Sequence, residues 1–520
     1  MNRRLVNGAV VTACGCLLGL SCSHFNLWPI AWFAWVPVLW IVLDQRTRHA
    51  WAYGFVCGLA GNALGFYWFV PYLQRFAHLP LVAALPIFLL LISYHALSWT
   101  LFCYLLRRLH AASAAPVTFL APVIFVAIEF LMPNIFVWYF AVSQAWATPV
   151  IQIAELTGPL GVSFLLILSN AALYETAHRR KTQAQFPWRA VASAIVLVAA
   201  TLTFGVIRIH QVQTVRDRAP KLTVGVVQGN IGINQKARLI DAEKQLASHQ
   251  KVSAQLEAKG ADVILWPEGA YPFGFRRDQT RDLAGSRSVR TGFDTPLIFG
   301  TLTVGGGARY PYNSAMLLDK SGSVRGRFDK NILILFGEYV PFYERLQFIK
   351  TWVPDVDNFA RGTEVSLLPV DSKNGTVQVG PMICYEDIFP AFGRRVARLH
   401  PNLLVNLTND AWFGDTSEPW EHLASSVFRA VEMRLDLVRA VNTGVSAFID
   451  STGRIYANTR SVDPDLTSNV EPESLLQEVS IQHAQTVYAR MGEWFGMICF
   501  VLSLWSIVRG WRRSYMSKND

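Results

Sequence analysis

The chain has 520 residues, 52% of them hydrophobic and 16% charged, with a mean hydropathy of +0.26. That is too apolar for an ordinary soluble enzyme and too charged for a protein lying wholly in lipid, and the length calls for more than one domain. The formal net charge is +10, but the arginines sit in short clusters between apolar runs, which points to membrane topology and not to nucleic acid.

Eight apolar runs, at about 5–22, 26–43, 51–72, 80–106, 116–133, 155–174, 190–208 and 494–511, approach or exceed the ~20 residues an α-helix needs to cross the hydrocarbon core. The first follows Arg3 and Arg4 as a secretory signal would, yet no small-residue cleavage site follows and further spans come at once. "LLGLSC" before Cys22 fits a lipid-attachment site only loosely, with Gly19 where a large aliphatic residue belongs. Arg46 and Arg48 separate spans two and three. Arg107 and Arg108 separate four and five. Arg179, Arg180, Lys181 and Arg189 separate six and seven, and Arg509, Arg512, Arg513 and Lys518 close the chain. The alternate loops hold little positive charge, Arg75 being the main exception. The positive-inside rule then places both termini in the cytoplasm and the long segment between spans seven and eight outside, in the periplasm of a bacterium. The expected organisation is a membrane domain with seven transmembrane helices (1–209), an outer domain (210–490), and an eighth transmembrane helix with a basic cytoplasmic tail (491–520), in the inner (cytoplasmic) membrane. A monomer is the default state. His95 and Glu129 fall inside spans, where ionisable groups are costly and often functional, helix–helix pairing being the other explanation. "PNIFVWYFAVSQAW" (133–146) reads as an interfacial segment.

Residues 221–480 change character. "LTVGVVQGNI", "ADVILWPEGA", "PLIFGTLTV", "YNSAMLLD", "VQVGPMICYE", "LLVNLTNDAWFG" and "VSAFIDSTGRI" read as strands, several apolar on both faces. "DAEKQLASHQKVSAQLEAKG" and "EPWEHLASSVFRAVEMRLDLVRAVN" read as helices, and "RIHQVQTVRDRAP" (208–220) as the connector from span seven. The outer domain is therefore α/β, with central sheets and covering helices. "TVGGGARY" lacks the lysine of a phosphate-binding loop and reads as a hairpin turn. His210, His249, His400, His422 and His483 show no paired metal-ligand spacing, so no metal is expected, and no cofactor motif appears.

Six of the seven cysteines lie in predicted spans; Cys384 alone lies in the outer domain and has no partner there for a disulfide. It is either a buried structural thiol or a nucleophile. Three strand ends deliver ionisable groups: Glu268 in "VILWPEGAYP", Lys330 with Glu338 in "DKNILILFGEYVP", and Cys384 with Glu386 in "VQVGPMICYED". A carboxylate to take the thiol proton, a thiolate to attack a carbonyl, and an ammonium to stabilise the oxyanion suffice for acyl transfer.

These motifs, with "VVQGNI", "NLTNDAWFG" and "RAVNTGVSAFID", resemble the nitrilase (carbon–nitrogen hydrolase) superfamily and, within it, the apolipoprotein N-acyltransferase family, whose eight-span arrangement the chain also resembles. The resemblance implies a multi-span α-helical membrane domain plus an α/β nitrilase-like domain, an α-β-β-α sandwich. It implies Glu268 as general base, Lys330 as oxyanion stabiliser and Cys384 as the nucleophile that becomes a thioester. Glu338, Tyr385 and Glu386 would support the site, the Tyr385 N–H as an oxyanion donor, and Trp412 would lie close to it. The implied reaction moves an acyl chain from a phospholipid, typically phosphatidylethanolamine, to the α-amino group of the diacylglyceryl-cysteine of a lipoprotein. A membrane-tethered amidase hydrolysing a C–N bond shares the triad, and a transporter with an outer binding domain leaves the triad unexplained. The sequence departs from the family at Ala237, where a tryptophan is expected, and at Asp329, often histidine, whose carboxylate would favour the ammonium form of Lys330. The aromatic stretch 339–359 reads either as a lid dipping toward lipid or as a loop packed on its own domain.

Overall fold

The computed structural model of the chain describes all residues except 1–2, 46, 114, 183–187, 234–240, 336, 340–357, 374, 461, 464, 466–469, 484 and 517–520. Ala237 and nearly all of the 339–359 stretch lie outside the described residues. The chain divides into two units: Met1–Val70 with Leu81–His210 and Met491–Asp520, and Pro71–Pro80 with Gln211–Arg490.

Helix occupies each of the eight apolar runs. Five helices are long and apolar enough to cross a membrane: Arg3–Leu20, Leu81–Ala112, the Pro159–Lys181 stretch of Pro159–Thr182, Trp188–Arg218, and the Trp494–Trp511 stretch of Trp494–Met516. Two runs are shorter than expected. The Trp28–Leu43 run is interrupted between a 3-10 turn that ends at Trp32 and a helix that starts at Val36 with Pro37, and Val117–Leu131 stops short of Pro133. The expected third span is a broken pair, Ala50–Gly65 and Phe69–Phe76. In the first unit, helices approach through small residues: a Cβ on Gly15 would lie 2.3 Å from the Cys57 carbonyl oxygen, and one on Gly58 2.9 Å from Ala96 Cα. Trp35, fully buried, packs against Trp99, Phe102 and Phe125 and donates its backbone N–H to Asn170 Oδ1 at 2.9 Å. The 133–146 stretch is not wholly interfacial, because Phe140–Gln144 forms a buried 3-10 turn.

The second unit is built on two sheets. The first contains β1 (Lys221–Gln228), β2 (Val263–Leu265), β3 (Tyr271–Arg276), β4 (Leu297–Val304), β5 (Tyr312–Leu318), β6 (Val324–Asp329) and β13 (Glu473–Ser480), in the order β13-β1-β2-β4-β5-β6 with β3 beside β4. The second contains β7 (Leu368–Ser372), β8 (Gly375–Ile383), β9 (Leu403–Thr408), β10 (Leu437–Val441), β11 (Ala447–Ile449) and β12 (Ile455–Asn458), in the order β12-β11-β10-β9-β8-β7. The sheets face one another, with Ala242–Ala258 covering the first and Pro390–Ala397 and Glu418–Met433 the second, so the layers run α-β-β-α. β9, β10 and most of β1 are buried on both faces, in keeping with their mainly apolar sequences, and the polar residues among them, such as Asn406 and Arg439, are buried with hydrogen-bond partners. The β4–β5 turn uses Gly305, Gly306 and Gly307, all at positive φ.

Two elements differ from the sequence reading. The helix opened by "EPWEH" stops at Met433, where Arg434 turns left-handed at φ 53°, and "LVRAV" becomes the fully buried strand β10. The 208–220 connector is helical through Arg218. Its last turns carry Arg216, whose Nε and Nη2 donate to the buried Asp436 at 3.0 and 2.9 Å. Asp436 also accepts the backbone N–H groups of Ser451 and Ser480. Four donors on one buried carboxylate make this a junction of helix, β10 and β13. Replacing Asp436 by Asn leaves the guanidinium half-paired in a dry site, and we expect Asp436→Asn to cost about 3 kcal/mol. Unfolding in detergent followed by circular dichroism measures it; a loss under about 1 kcal/mol would show the junction to be dispensable.

Candidate active site

Glu268 follows β2 after Trp266 and Pro267. The turn that carries it lies directly over Gly300 of β4: a Cβ there would sit 2.5 Å from the Pro267 carbonyl oxygen and 2.6 Å from Glu268 Cα. Lys330 follows β6. Cys384 follows β8 and opens a 3-10 turn, Cys384–Ile388. All three side chains line one cavity of about 340 Å³ in the second unit, together with Glu338 and Trp412.

Lys330 is fully buried. Its Nζ lies 2.8 Å from Glu338 Oε1 and 3.2 Å from Glu268 Oε1. Asn313 binds the same two carboxylates, at 2.6 Å to Glu268 and 3.2 Å to Glu338, and Glu338 Oε2 accepts the Ile334 N–H at 3.0 Å. Burial alone would lower the lysine's pKa, but Glu268 and Glu338 outweigh it and hold the ammonium charged. Asp329 does not contribute as expected. Adjacent strand residues point to opposite faces, and Asp329 pairs with Arg277 at 2.9 Å and accepts from the Ser314 hydroxyl at 2.7 Å.

Cys384 sits at φ 49°, a conformation a side chain rarely adopts and which costs about 1–3 kcal/mol. Several bonds hold it. Its carbonyl accepts from Asn406 Nδ2 at 3.1 Å, and His422 Nε2 lies 3.3 Å away. The fully buried Glu386 accepts the N–H groups of Ile383 (2.8 Å), Asn331 (2.6 Å) and Ile332 (3.1 Å), tying the end of β8 to the segment after Lys330. Burial, against those bonds, raises the Glu386 pKa to about 8. Burial and the Glu268 carboxylate push the Cys384 thiol well up, with the Lys330 ammonium opposing, so the resting group is the thiol. Tyr385, also pushed up by burial, packs edge-on against Phe389 at 4.9 Å.

Beneath the cysteine lies a cluster that histidine spacing in the sequence did not reveal. His422 Nε2 is 2.7 Å from Asp387 Oδ1 and its Nδ1 is 3.2 Å from Asp410 Oδ1. Arg439 bridges the same carboxylates, at 3.3 and 2.8 Å. Burial and Arg439 oppose the imidazolium, but the two aspartates raise its pKa to about 10. Asp410, Glu418 and His422 also bring three potential ligand atoms within 4.8 Å of one another. With a guanidinium on Asp410 and the imidazole shared between two aspartates, this donor set fits an internally neutralised ion cluster and not a metal.

Aromatic rings form the far wall. Tyr72 stacks on Phe76 and on Phe413, each at 5.3 Å between centroids, and Phe76 meets Trp412 edge-on at 4.9 Å. Tyr72 and Phe76 belong to Pro71–Pro80. Arg75, in the last turn of the Phe69–Phe76 helix, forms an ion pair with the buried Asp463.

Residues 14–172 match the model of the apolipoprotein N-acyltransferase N-terminal domain, and residues 223–483 match the carbon-nitrogen hydrolase model. A protein of Geobacter metallireducens named apolipoprotein N-acyltransferase is 34% identical over 494 residues, covering 93% of this chain and 91% of the relative. The chain belongs to the apolipoprotein N-acyltransferase family. A family member of Bradyrhizobium diazoefficiens is 29% identical, covering 96% of this chain and 94% of its own. Among solved structures, Saccharomyces cerevisiae Nit3, of the nitrilase superfamily, is similar at 16% identity and TM-score 0.36, covering 50% of this chain and 90% of that one. An amidase from Nesterenkonia sp. is similar at 20% identity and TM-score 0.34, covering 52% of this chain and 92% of that one.

Two measurements probe the electrostatics that this family member builds around its thiol. Lys330→Gln removes the positive charge that opposes the rise of the Cys384 pKa, so alkylation of Cys384 by iodoacetamide at neutral pH should slow several-fold; equal or faster labelling would contradict the assigned cause. His422 has a folded pKa above its ordinary 6.5. Its contribution to stability is therefore complete below pH 6.5 and declines as pH rises to about 10. The thermal midpoint should fall across that window, and His422→Gln should flatten the fall.

Proposed function

We propose that the protein is a phospholipid–apolipoprotein N-acyltransferase working through a Cys384 thioester. The observation that carries this reading is the convergence of Cys384, Glu268 and Lys330 on one cavity walled by Trp412, Phe413, Tyr72 and Phe76. Thiol, carboxylate and ammonium meet the needs of acyl transfer, and the aromatic wall suits an acyl chain better than a small polar amide.

Glu268 takes the thiol proton as Sγ attacks the ester carbonyl of the donor, for which phosphatidylethanolamine is the proposed class. Lys330 and the Tyr385 N–H stabilise the oxyanion. The intermediate collapses, the C–O bond breaks, and the lysophospholipid alkoxide leaves with the proton held by Glu268. In the second half the α-amino group of a diacylglyceryl-cysteine attacks the thioester, Glu268 takes the amine proton, the C–S bond breaks to leave the amide, and Glu268 returns that proton to the leaving thiolate. Lys330, Glu338 and Glu268 carry a net single negative charge at rest, and moving the thiol proton to Glu268 relocates that charge without adding to it. Glu338 and Glu386 position the loop after Lys330. The protein is proposed to act as a monomer in a bacterial inner membrane, with the second unit periplasmic and both termini cytoplasmic, and without a cofactor.

Incubation with phosphatidylethanolamine and no acceptor should add an acyl-chain mass to the Cys384 peptide. Hydroxylamine should remove it, and a diacylated lipopeptide should discharge it. Cys384→Ser should abolish both. An unmodified Cys384 with intact donor would exclude phospholipid and favour the amidase reading.

A further inference from the structure

Three helices of the first unit, Arg3–Leu20, Ala50–Gly65 and Val117–Leu131, direct their C-terminal ends to one cavity of about 70 Å³. The last carbonyls of a helix carry the negative end of its dipole and favour a cation. Two ionisable side chains open onto the same space. His95, on Leu81–Ala112, is 6% exposed and its Nε2 makes no hydrogen bond among the described residues. Glu129 accepts the Phe140 N–H at 2.8 Å through Oε1 and its carboxyl also meets the Ser163 hydroxyl, while Oε2 has no partner of hydrogen-bond geometry among the described residues. The pairing that would have explained two ionisable groups in spans does not occupy these two atoms. Leaving both unsatisfied costs about 1–3 kcal/mol each, so the cavity favours a polar occupant.

The lining identifies the class. Among the described residues the lining holds no lysine or arginine and Glu129 is its sole formal acid, which disfavours an anion. Phe66, Trp99 and Trp138 add ring faces. We propose that this cavity binds a primary ammonium group, whose N–H donors meet Glu129 Oε2, His95 Nε2 and the Ser98 hydroxyl or a helix-terminal carbonyl. The source is an aminophospholipid headgroup or a free amine. The opposite ends of the three helices start with Arg3 and Arg4 or follow the Arg48 and Arg107–Arg108 segments in sequence, so under the proposed orientation the cavity faces the outer leaflet. The ligand class itself does not depend on that orientation, nor on the proposed reaction.

Native mass spectrometry of the full-length Cys384→Ser protein in detergent, with phosphatidylethanolamine, phosphatidylcholine or phosphatidylglycerol added, tests the site. One phosphatidylethanolamine should be retained in preference to the other two. Glu129→Gln keeps the acceptor for Phe140 and removes the charge, and should weaken retention at least tenfold, with His95→Gln acting in the same direction. Millimolar ethanolamine that displaces the lipid shows that the amine alone suffices; failure to displace assigns the lipid as source. Equal retention of all three lipids, unchanged retention in Glu129→Gln, or a cryo-EM map with phosphatidylethanolamine present that shows only ordered water would overturn the proposal. Acylation of Cys384 in the parent protein is read separately, so a failed reaction and a failed site are distinguishable.

Discussion

A buried ammonium governs the second unit. Removing Lys330 from water costs several kcal/mol, and the cost is offset only while carboxylates stand within contact distance. Glu338 and Glu268 stand there, but each must in turn be held. Asn313 from β5 holds both, and the Ile334 N–H holds Glu338. Glu386 then fastens the stretch after Lys330 to the end of β8, the strand that delivers Cys384. The ends of strands from two sheets are thus locked together by the demands of one charge, and the state of the thiol follows from the same arrangement.

The cluster below Cys384 repeats the logic with four partners. Two aspartates and two cations, all buried, sum to zero. Such clusters contribute little net stability over an apolar core, yet losing one member leaves a charge stranded. Their value is geometric. Asp387 lies on the turn that Cys384 opens, Asp410 in "NDAWFG", His422 on a covering helix and Arg439 on β10. The cluster fixes the positive φ of Cys384 and the backbone before Trp412 in one rigid assembly.

Much of this was legible in the residues. Apolar runs announced helices, five of them long and apolar enough to cross a membrane, and a lone thiol, lysine and carboxylate after apolar runs announced strand ends. What escaped had physical causes. "LVRAV" carries the helical pattern of the residues before it, and only the left-handed Arg434 cuts it off. Asp329 neighbours Lys330 in sequence but, on a strand, faces the other way. His422 has no metal-like spacing because its partners are brought by the fold from three other elements. Two of the apolar runs were read as longer helices than prolines allow.

Pro71–Pro80 is flanked in sequence by helices of the first unit, yet its rings and its arginine pack into the second. The second unit is therefore not a continuous piece of the gene. Excised as residues 211–490, it would keep the thiol, the ammonium and both carboxylates, but Phe413, Trp412 and Asp463 would lose the partners that close one side of the cavity. The chain is divisible by compactness and indivisible by chemistry, so a fragment cut at the boundaries of residues 211–490 would carry a partly unwalled cavity.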